Sequence, residues 1–101
     1  MNIETGLSHF LEYLEKEKRV SRNTIDAYRR DVEGFISFID RTGLPRDAVR
    51  IETAYIRTYL STLFDKNEPT TIGRKLAALR ALYKFLMIRE QVSHNPAAAM
   101  R

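Results

Sequence analysis

The sequence contains no cysteine and no tryptophan, and it has only four glycines and three prolines in 101 residues. Without cysteine, the chain can form neither a disulfide framework nor a thiolate zinc site. No apolar run approaches the ~18 residues that a membrane helix requires, and the first residues lack the charged and apolar pattern of a signal peptide. We therefore expect a cytoplasmic protein with no membrane partner, folded as a single domain over residues 1–101.

No group of residues has the spacing of a catalytic or metal site. His9 and His94 are far apart, and neither belongs to a ligand pattern. The glycines are too scattered to form a phosphate-binding loop, and nothing assembles a nucleophile with a base. We expect no catalytic residue, no metal, no cofactor and no small-molecule substrate in this chain, which on its own is predicted not to be an enzyme.

The charge that is present is distributed unevenly along the chain. Residues 1–69 carry eleven basic and twelve acidic side chains, whereas residues 70–101 carry six basic side chains against Glu90 alone. A local cationic excess is typical of a surface that meets a polyanion such as nucleic acid. On charge alone, a basic face that is merely solvated remains an equally open interpretation.

Apolar residues recur at helical spacing through most of the chain, and no alternating run predicts a strand. Ser21 is expected to cap the second helix, Gly43 and Pro45 to end it, and Pro69 to begin the fourth. A further helical turn is expected after Pro96. The helices are predicted over residues 2–18, 22–41, 53–65 and 69–90. These elements predict an all-α four-helix bundle with short connections.

Each predicted helix has one apolar face that is expected to form the core. The expected core residues are Ile3, Leu7, Phe10, Leu11 and Leu14 in the first helix, Ile25, Tyr28, Val32, Phe35, Ile36 and Ile39 in the second, Ile56, Tyr59, Leu60 and Leu63 in the third, and Ile72, Leu76, Leu79, Tyr83, Leu86 and Met87 in the fourth. The tyrosines in this set are predicted to serve core packing.

The opposite face of the fourth helix mixes long cations with alanines. At about 100° per residue, Arg74, Arg80 and Lys84 turn away from the apolar stripe and are expected to point outward. Alanines let a helix backbone approach nucleic acid while cations reach its phosphates, although alanine is also simply a good helix former. Lys75 falls at the edge of the core stripe, from where its long side chain can still reach solvent.

The second helix carries a weaker stripe of the same kind. Asn23, Ala27, Arg30 and Gly34 lie opposite its core face at helical spacing. Such a stripe could contact DNA, or its small residues could equally seat another helix. The sequence pattern alone leaves both interpretations open.

Three motifs resemble those of a known family. Ser21–Val32 resembles the Ser-x-x-Thr-x-x-x-Tyr-x-x-Asp-Leu opening of the second helix in Xer-type tyrosine recombinases, of the phage integrase family. Thr71–Leu86 is similar to that family's fourth helix, Ser/Thr-x-x-Arg-x-Leu-Ser-Ala-Leu-Arg-x-Phe-Tyr-x-Phe-Leu. Asn95-Pro96-Ala97 is similar to the Asn-Pro that follows this helix. Glu52 and Glu68 depart from the pattern, because the family usually has Ser or Thr before its third and fourth helices.

The resemblance implies a four-helix, SAM-like N-terminal domain that clamps one side of a DNA half-site. Its partners would be double-stranded DNA and the other recombinase subunits of the full-length protein. The family's catalytic residues lie in a second domain, which is expected to be absent from this chain. Together, the resemblance and the charge pattern predict these DNA-binding residues: Asn23, Thr24, Ala27, Arg30, Thr71, Arg74, Lys75, Arg80 and Lys84.

Two other classes of function remain as alternatives. A helical protein-interaction or oligomerisation module would carry the same helices with a basic face that is only solvated. A stand-alone transcription regulator would need a helix-turn-helix, whose two helices are joined by a turn of about three to four residues. Only the predicted connection at residues 18–22 is comparably short.

Overall fold

The computed structural model describes residues 1–100, and in this part of the chain four α-helices follow one another. They are α1 (Ile3–Lys16), α2 (Arg22–Thr42), α3 (Thr53–Ser61) and α4 (Pro69–Ile88), with a 3-10 helix, Ala48–Arg50, between α2 and α3. The only β-pairing among these residues is an isolated bridge between Asn2 and Asp47. The predicted all-α four-helix bundle is confirmed. None of the described helices is long and apolar enough to cross a membrane.

The predicted ends of α2 are confirmed, and each has a local chemical cause. The Ser21 hydroxyl accepts a hydrogen bond from the backbone N–H of Thr24 at 3.3 Å, which satisfies one free donor of the first turn. Gly43 ends the helix in the left-handed conformation, with φ of 71°. Glu52 and Glu68 occupy the N-cap positions of α3 and α4 without a side-chain capping bond.

Three helices are shorter than predicted because the chain leaves the helical conformation before the predicted boundaries, at residues that cap the helix or turn the chain. Asn2 lies outside α1 as its N-cap, since its side chain accepts the N–H of Glu4 at 2.7 Å. The last turn of α3 closes at Ser61, where the following Thr62 hydroxyl donates back to the carbonyl of Tyr59 at 2.6 Å. α4 ends at Ile88, and Glu90 beyond it turns the chain with φ of 57°.

α4 is buried on more than one side because it packs against both α1 and α2. The predicted core residues of α4 are buried except Met87, which is 40% exposed, so the inward prediction for Met87 is wrong. Ala78, Leu82 and Phe85 are buried as well, although they lay outside the predicted stripe. A helix covered on two sides needs a wider apolar surface than a single stripe provides.

The segment after α4 folds back onto the bundle. The side-chain amide of Asn95 donates to the carbonyl of Arg80 at 3.1 Å, and the Thr53 hydroxyl donates to the carbonyl of Pro96 at 2.7 Å. A turn over residues 96–99 follows, as predicted, and the Ala97 side chain is fully buried. These contacts fix the tail against α3 and α4.

Candidate nucleic-acid interface

A shallow groove of about 340 Å³ lies between α2 and α4. Four of its residues are predicted DNA contacts: Asn23, Thr24, Ala27 and Arg74. The rest of the lining is Tyr28, Asp31, Ala77 and Ala78. The structure therefore brings together, from two helices and from positions about 50 residues apart in the sequence, side chains that the sequence analysis assigned to one function.

Three alanines line the groove where longer side chains would fill it. Ala27 on α2 is half-buried, while Ala77 and Ala78 on α4 are exposed and buried respectively. Their methyl groups leave the two helix backbones accessible to a close approach, and they add no side chain that would block it. Such a surface allows a phosphate or a base edge of a nucleic acid to approach the two helices closely.

Gly34, the last residue of the predicted α2 stripe, serves a different purpose. A Cβ atom at this position would lie 2.7 Å from the hydroxyl oxygen of Tyr59. Tyr59 belongs to α3 and is 3% exposed. The stripe is therefore divided, because Ala27 lines the groove whereas Gly34 makes room for α3.

A buried carboxylate forms the base of the groove. The Asp31 side chain is only 3% exposed and accepts hydrogen bonds from Arg74 Nε at 2.9 Å and Arg74 Nη2 at 3.0 Å. Lys75 Nζ lies 3.3 Å from the same carboxylate. The hydrogen bond to Asp31, and then the charge of Asp31, raise the pKa of Arg74 above its usual value. Pairing with cations is what allows a carboxylate to be buried to this degree.

The sequence analysis did not identify Asp31 as a site residue, although a signal was present. Asp31 follows Tyr28 by three residues and precedes Val32, so it occupies a core register of α2. A carboxylate in such a register requires a cation on the helix that it faces. Arg74 and Lys75, at the basic start of α4, were the available partners.

The expectation that Arg80 points outward is wrong. Its guanidinium Nε donates to the carbonyl of Ala97 at 2.9 Å, and the residue is half-buried. Together with Lys84 it lines a second hollow beside the tail, which also includes Ala81 and His94. The helical wheel failed here because the tail, which lies 17 residues further along the chain, covers this side of α4.

The remaining predicted residues do not line the groove. Lys75 reaches the edge of the core as predicted, and its side chain is 17% exposed. Arg30 is exposed and follows Ala27 by three residues, so it extends the α2 side of the groove. Lys84 is exposed on α4, and Thr71 is half-buried near the start of the same helix.

No three histidine, aspartate or glutamate side chains within residues 1–100 come close enough together to hold a metal ion. His9 and His94 are both exposed. The carboxylate of Glu17 pairs with Arg89 Nη2 at 3.0 Å. The Arg89 guanidinium also lies over the ring of Phe85, 4.9 Å from the ring centre. This cluster joins α1 to the end of α4 and is separate from the groove.

Comparison with known proteins supports the resemblance noted in the sequence. The profile of the family described as "Phage integrase, N-terminal SAM-like domain" matches residues 7–90. The tyrosine recombinase XerC of Pediococcus pentosaceus is 36% identical over 91 residues, which cover 89% of this chain and 30% of that protein. The tyrosine recombinase XerD of Bradyrhizobium diazoefficiens is 38% identical over 97 residues, which cover 95% of this chain and 29% of that protein.

A third relative, the tyrosine recombinase XerC of Pseudomonas aeruginosa, is 34% identical over 96 residues, which cover 94% of this chain. The chain spans about 30% of the length of the curated relatives that it matches. No solved structure matches it. Since the family profile extends over most of the residues, from within α1 to just beyond the end of α4, the chain belongs to the family of phage integrase N-terminal SAM-like domains.

Proposed function

We propose that this domain binds duplex DNA as the non-catalytic half of a tyrosine recombinase. It would grip one side of a recombination half-site, while a catalytic domain of the parent protein performs strand cleavage on the other side. The observation that carries this proposal is the α2–α4 groove, which combines three alanines with polar and cationic side chains predicted to contact DNA. The curated relatives are named tyrosine recombinases, which supports a recombinase as the full-length protein.

The groove residues fall into two kinds of proposed DNA contact. Asn23 and Thr24 lie in the first turn of α2, where backbone N–H groups and the helix dipole favour a phosphate. Arg30 on α2 and Lys84, which lines the second hollow on α4, are exposed cations, which suits them to phosphates. Arg74 lies within the groove and is assigned to the base edges.

The other predicted contacts play smaller parts in the proposal. Thr71 would donate its hydroxyl to the DNA backbone near the start of α4. Arg80 uses one N–H on Ala97, but a guanidinium has five N–H donors, so it retains the capacity to bind a phosphate. The ammonium group of Lys75 pairs with Asp31. Lys75 would therefore affect DNA binding only indirectly, through the position and charge of that carboxylate.

A protein-interaction module is the second candidate function, and exposed apolar residues favour it. Phe64 is 65% exposed and lines a hollow of about 510 Å³ with Leu60, Ile72 and Leu76, so it belongs to a continuous apolar surface. Under this alternative the domain would associate with itself or with another protein in the absence of DNA. Sedimentation measurements on the isolated domain, with and without duplex DNA, distinguish the two functions.

A titration of labelled duplex DNA in low salt, followed by fluorescence anisotropy, tests the proposed function. We expect binding that weakens at physiological salt to a dissociation constant of about 10⁻⁴ to 10⁻⁶ M, because a single domain makes only part of the clamp. We expect no covalent adduct on a duplex that traps cleavage intermediates. Absence of any complex at tens of micromolar protein would contradict DNA binding, and an adduct would contradict the non-catalytic role.

A further inference from the structure

Asp31 places a negative charge inside a surface that is proposed to bind a polyanion. Its carboxylate belongs to the lining of the α2–α4 groove, although its side chain is almost fully buried beneath Arg74 and Lys75. A carboxylate in this place weakens the attraction of the groove for phosphate. Its presence therefore calls for a benefit other than affinity for DNA in general.

The geometry of the Asp31–Arg74 pair supplies that benefit. Arg74 uses Nε–H and one N–H of Nη2 on the two carboxylate oxygens, at 2.9 and 3.0 Å. A guanidinium has five N–H donors in one plane, so the edge formed by Nη1 and the second N–H of Nη2 remains to bind a ligand. Because the Arg74 side chain is still 54% exposed, a ligand in the groove can reach this edge.

Fixing the plane of a guanidinium turns a general cation into a selective donor. The free N–H pair matches two neighbouring acceptors, whether O6 and N7 of guanine or two oxygens of a phosphate. When the orientation of the pair is fixed, only acceptors in one place and one plane can meet both N–H groups. Asp31 can hold this orientation because its side chain is buried and its Oδ1 also accepts a hydrogen bond from Lys75 Nζ at 3.3 Å. The two cations and the carboxylate together carry a single positive charge.

We propose that Asp31 is a positioning residue for sequence discrimination. It holds the Arg74 guanidinium in one orientation for a bidentate contact with a base edge, and it offsets charge that would otherwise bind any duplex. The proposal rests on the proposed DNA binding of the groove. It assigns to this domain a part in choosing the recombination site as well as in gripping it.

The variant Asp31→Asn tests the proposal by removing the charge while keeping the shape of the side chain. A duplex enriched from a random-sequence pool on the wild-type domain is compared with the starting pool. We expect the affinity of the variant for the pool to rise about two- to five-fold, and its salt dependence to steepen by up to about one unit of slope, as cations are released to phosphates. Its preference for the enriched duplex should fall about tenfold or more.

The variant Arg74→Lys provides a second test that keeps the Asp31 carboxylate and a cation beside it. Lysine keeps the charge but cannot form the planar fork, so preference should fall while affinity for the pool stays the same. Arg50→Lys, on the 3-10 helix outside the groove, is the matched control and should change neither quantity. Since Arg74 is more than half exposed, this variant is expected to fold even if Asp31→Asn does not.

Each outcome of these measurements decides between a positioning role and a structural one. If Asp31→Asn lowers affinity for the pool and for the enriched duplex equally, or if Arg74→Lys retains the preference, Asp31 only joins α2 to α4 and the proposal is wrong. If the wild-type domain binds the pool but enriches no sequence, the positioning role fails while DNA binding stands. If the wild type binds no duplex at all, the proposed function itself fails.

Discussion

Tyr83 shows at the scale of one residue how the bundle holds its irregular parts. Its ring is fully buried in α4, and its hydroxyl donates to the carbonyl of Ala48 at 2.8 Å. This bond ties the 3-10 helix between α2 and α3 to the core. The partner is the backbone carbonyl of Ala48, the first residue of this short helix.

Replacing Tyr83 with Phe is expected to lower the free energy of unfolding by about 1–2 kcal/mol, because the Ala48 carbonyl is left buried without a donor. Urea denaturation of the purified domain measures this change. Tyr13→Phe is the control, since Tyr13 is half-buried and contacts Phe85 and Arg89 through its ring. That control should change stability by less than about 0.5 kcal/mol, and equal losses in both variants would contradict the assigned role of the hydroxyl.

Ionisation of Tyr83 is expected to destabilise the folded domain in alkali. Burial, and secondarily the charge of Asp47, raise the pKa of Tyr83 above its usual value of about 10. Above that pH the unfolded chain releases the proton while the folded protein keeps it, so the contribution of Tyr83, which is complete below pH 10, is lost as the pH rises. The free energy of unfolding between about pH 10 and pH 12 should fall less steeply in Tyr83→Phe than in the wild type. Identical slopes in the two proteins would show that ionisation of Tyr83 does not contribute to the loss of stability in alkali.

Local interactions were predictable from the sequence, and distant ones were not. Ser21 and Gly43 act on their own helix within a few residues, so their roles as cap and terminator follow from residue type and position. The Asp31–Arg74 pair spans 43 residues and the Arg80–Ala97 bond spans 17. A helical wheel gives the direction in which a side chain leaves its helix, but the partner depends on how the helices pack.

At the scale of whole elements, two glycines illustrate how packing decides the effect of the same substitution. Gly73 lies near the start of α4 with open space around it, whereas Gly34 on α2 faces the hydroxyl of Tyr59. Both residues weaken the intrinsic stability of their helices relative to alanine. Only one of the two positions has room for a methyl group.

Gly73→Ala is expected to raise the free energy of unfolding by about 0.5–1 kcal/mol, because it improves helix propensity without a clash. Gly34→Ala is expected to lower stability, since Tyr59 is buried between Phe35 and Phe38 and cannot move aside freely. Thermal and urea denaturation of the two variants measure the effects. Stabilisation by Gly34→Ala would mean that α3 adjusts more easily than its packing indicates, and destabilisation by Gly73→Ala would contradict the gain in helix propensity.

The sequence predicted the helices and their order more accurately than it predicted the burial of individual residues. Four helices and their order followed from the apolar period, and the ends of α2 followed from residue type. The burial of Phe85 and the exposure of Met87 did not follow, because α4 is covered by both α1 and α2. A wheel assumes one buried face and cannot anticipate a helix that is covered from two directions.

At the scale of the whole molecule, the groove depends on how three helices meet. Phe10 of α1 contacts both Tyr28 of α2, at a ring distance of 5.4 Å, and Phe85 of α4, at 5.5 Å. This aromatic cluster and the Asp31–Arg74 pair hold α2 and α4 side by side. The two helices that carry the proposed DNA contacts are therefore fixed by the core before any ligand arrives, which reduces the cost of ordering them on binding.

The salt dependence of binding is the sharpest test of DNA contact by α2 and α4, because only contacts with phosphate release counterions. The cations assigned to phosphates are Arg30, Arg80 and Lys84. Neutralising about three phosphates gives a slope of log affinity against log salt near −2.7, and therefore a loss of roughly 40-fold between 50 and 200 mM salt.

The double variant Arg30→Ala, Lys84→Ala removes one exposed cation from α2 and one from α4, both assigned to phosphates. The double variant Arg50→Ala, Lys16→Ala removes two exposed cations that have no such assignment. Both double variants therefore lower the net charge by the same amount. The account predicts that the first pair makes the slope shallower by about two units and that the second pair leaves it unchanged. A flat slope in the wild type, or an equal change in both double variants, would contradict DNA binding by α2 and α4.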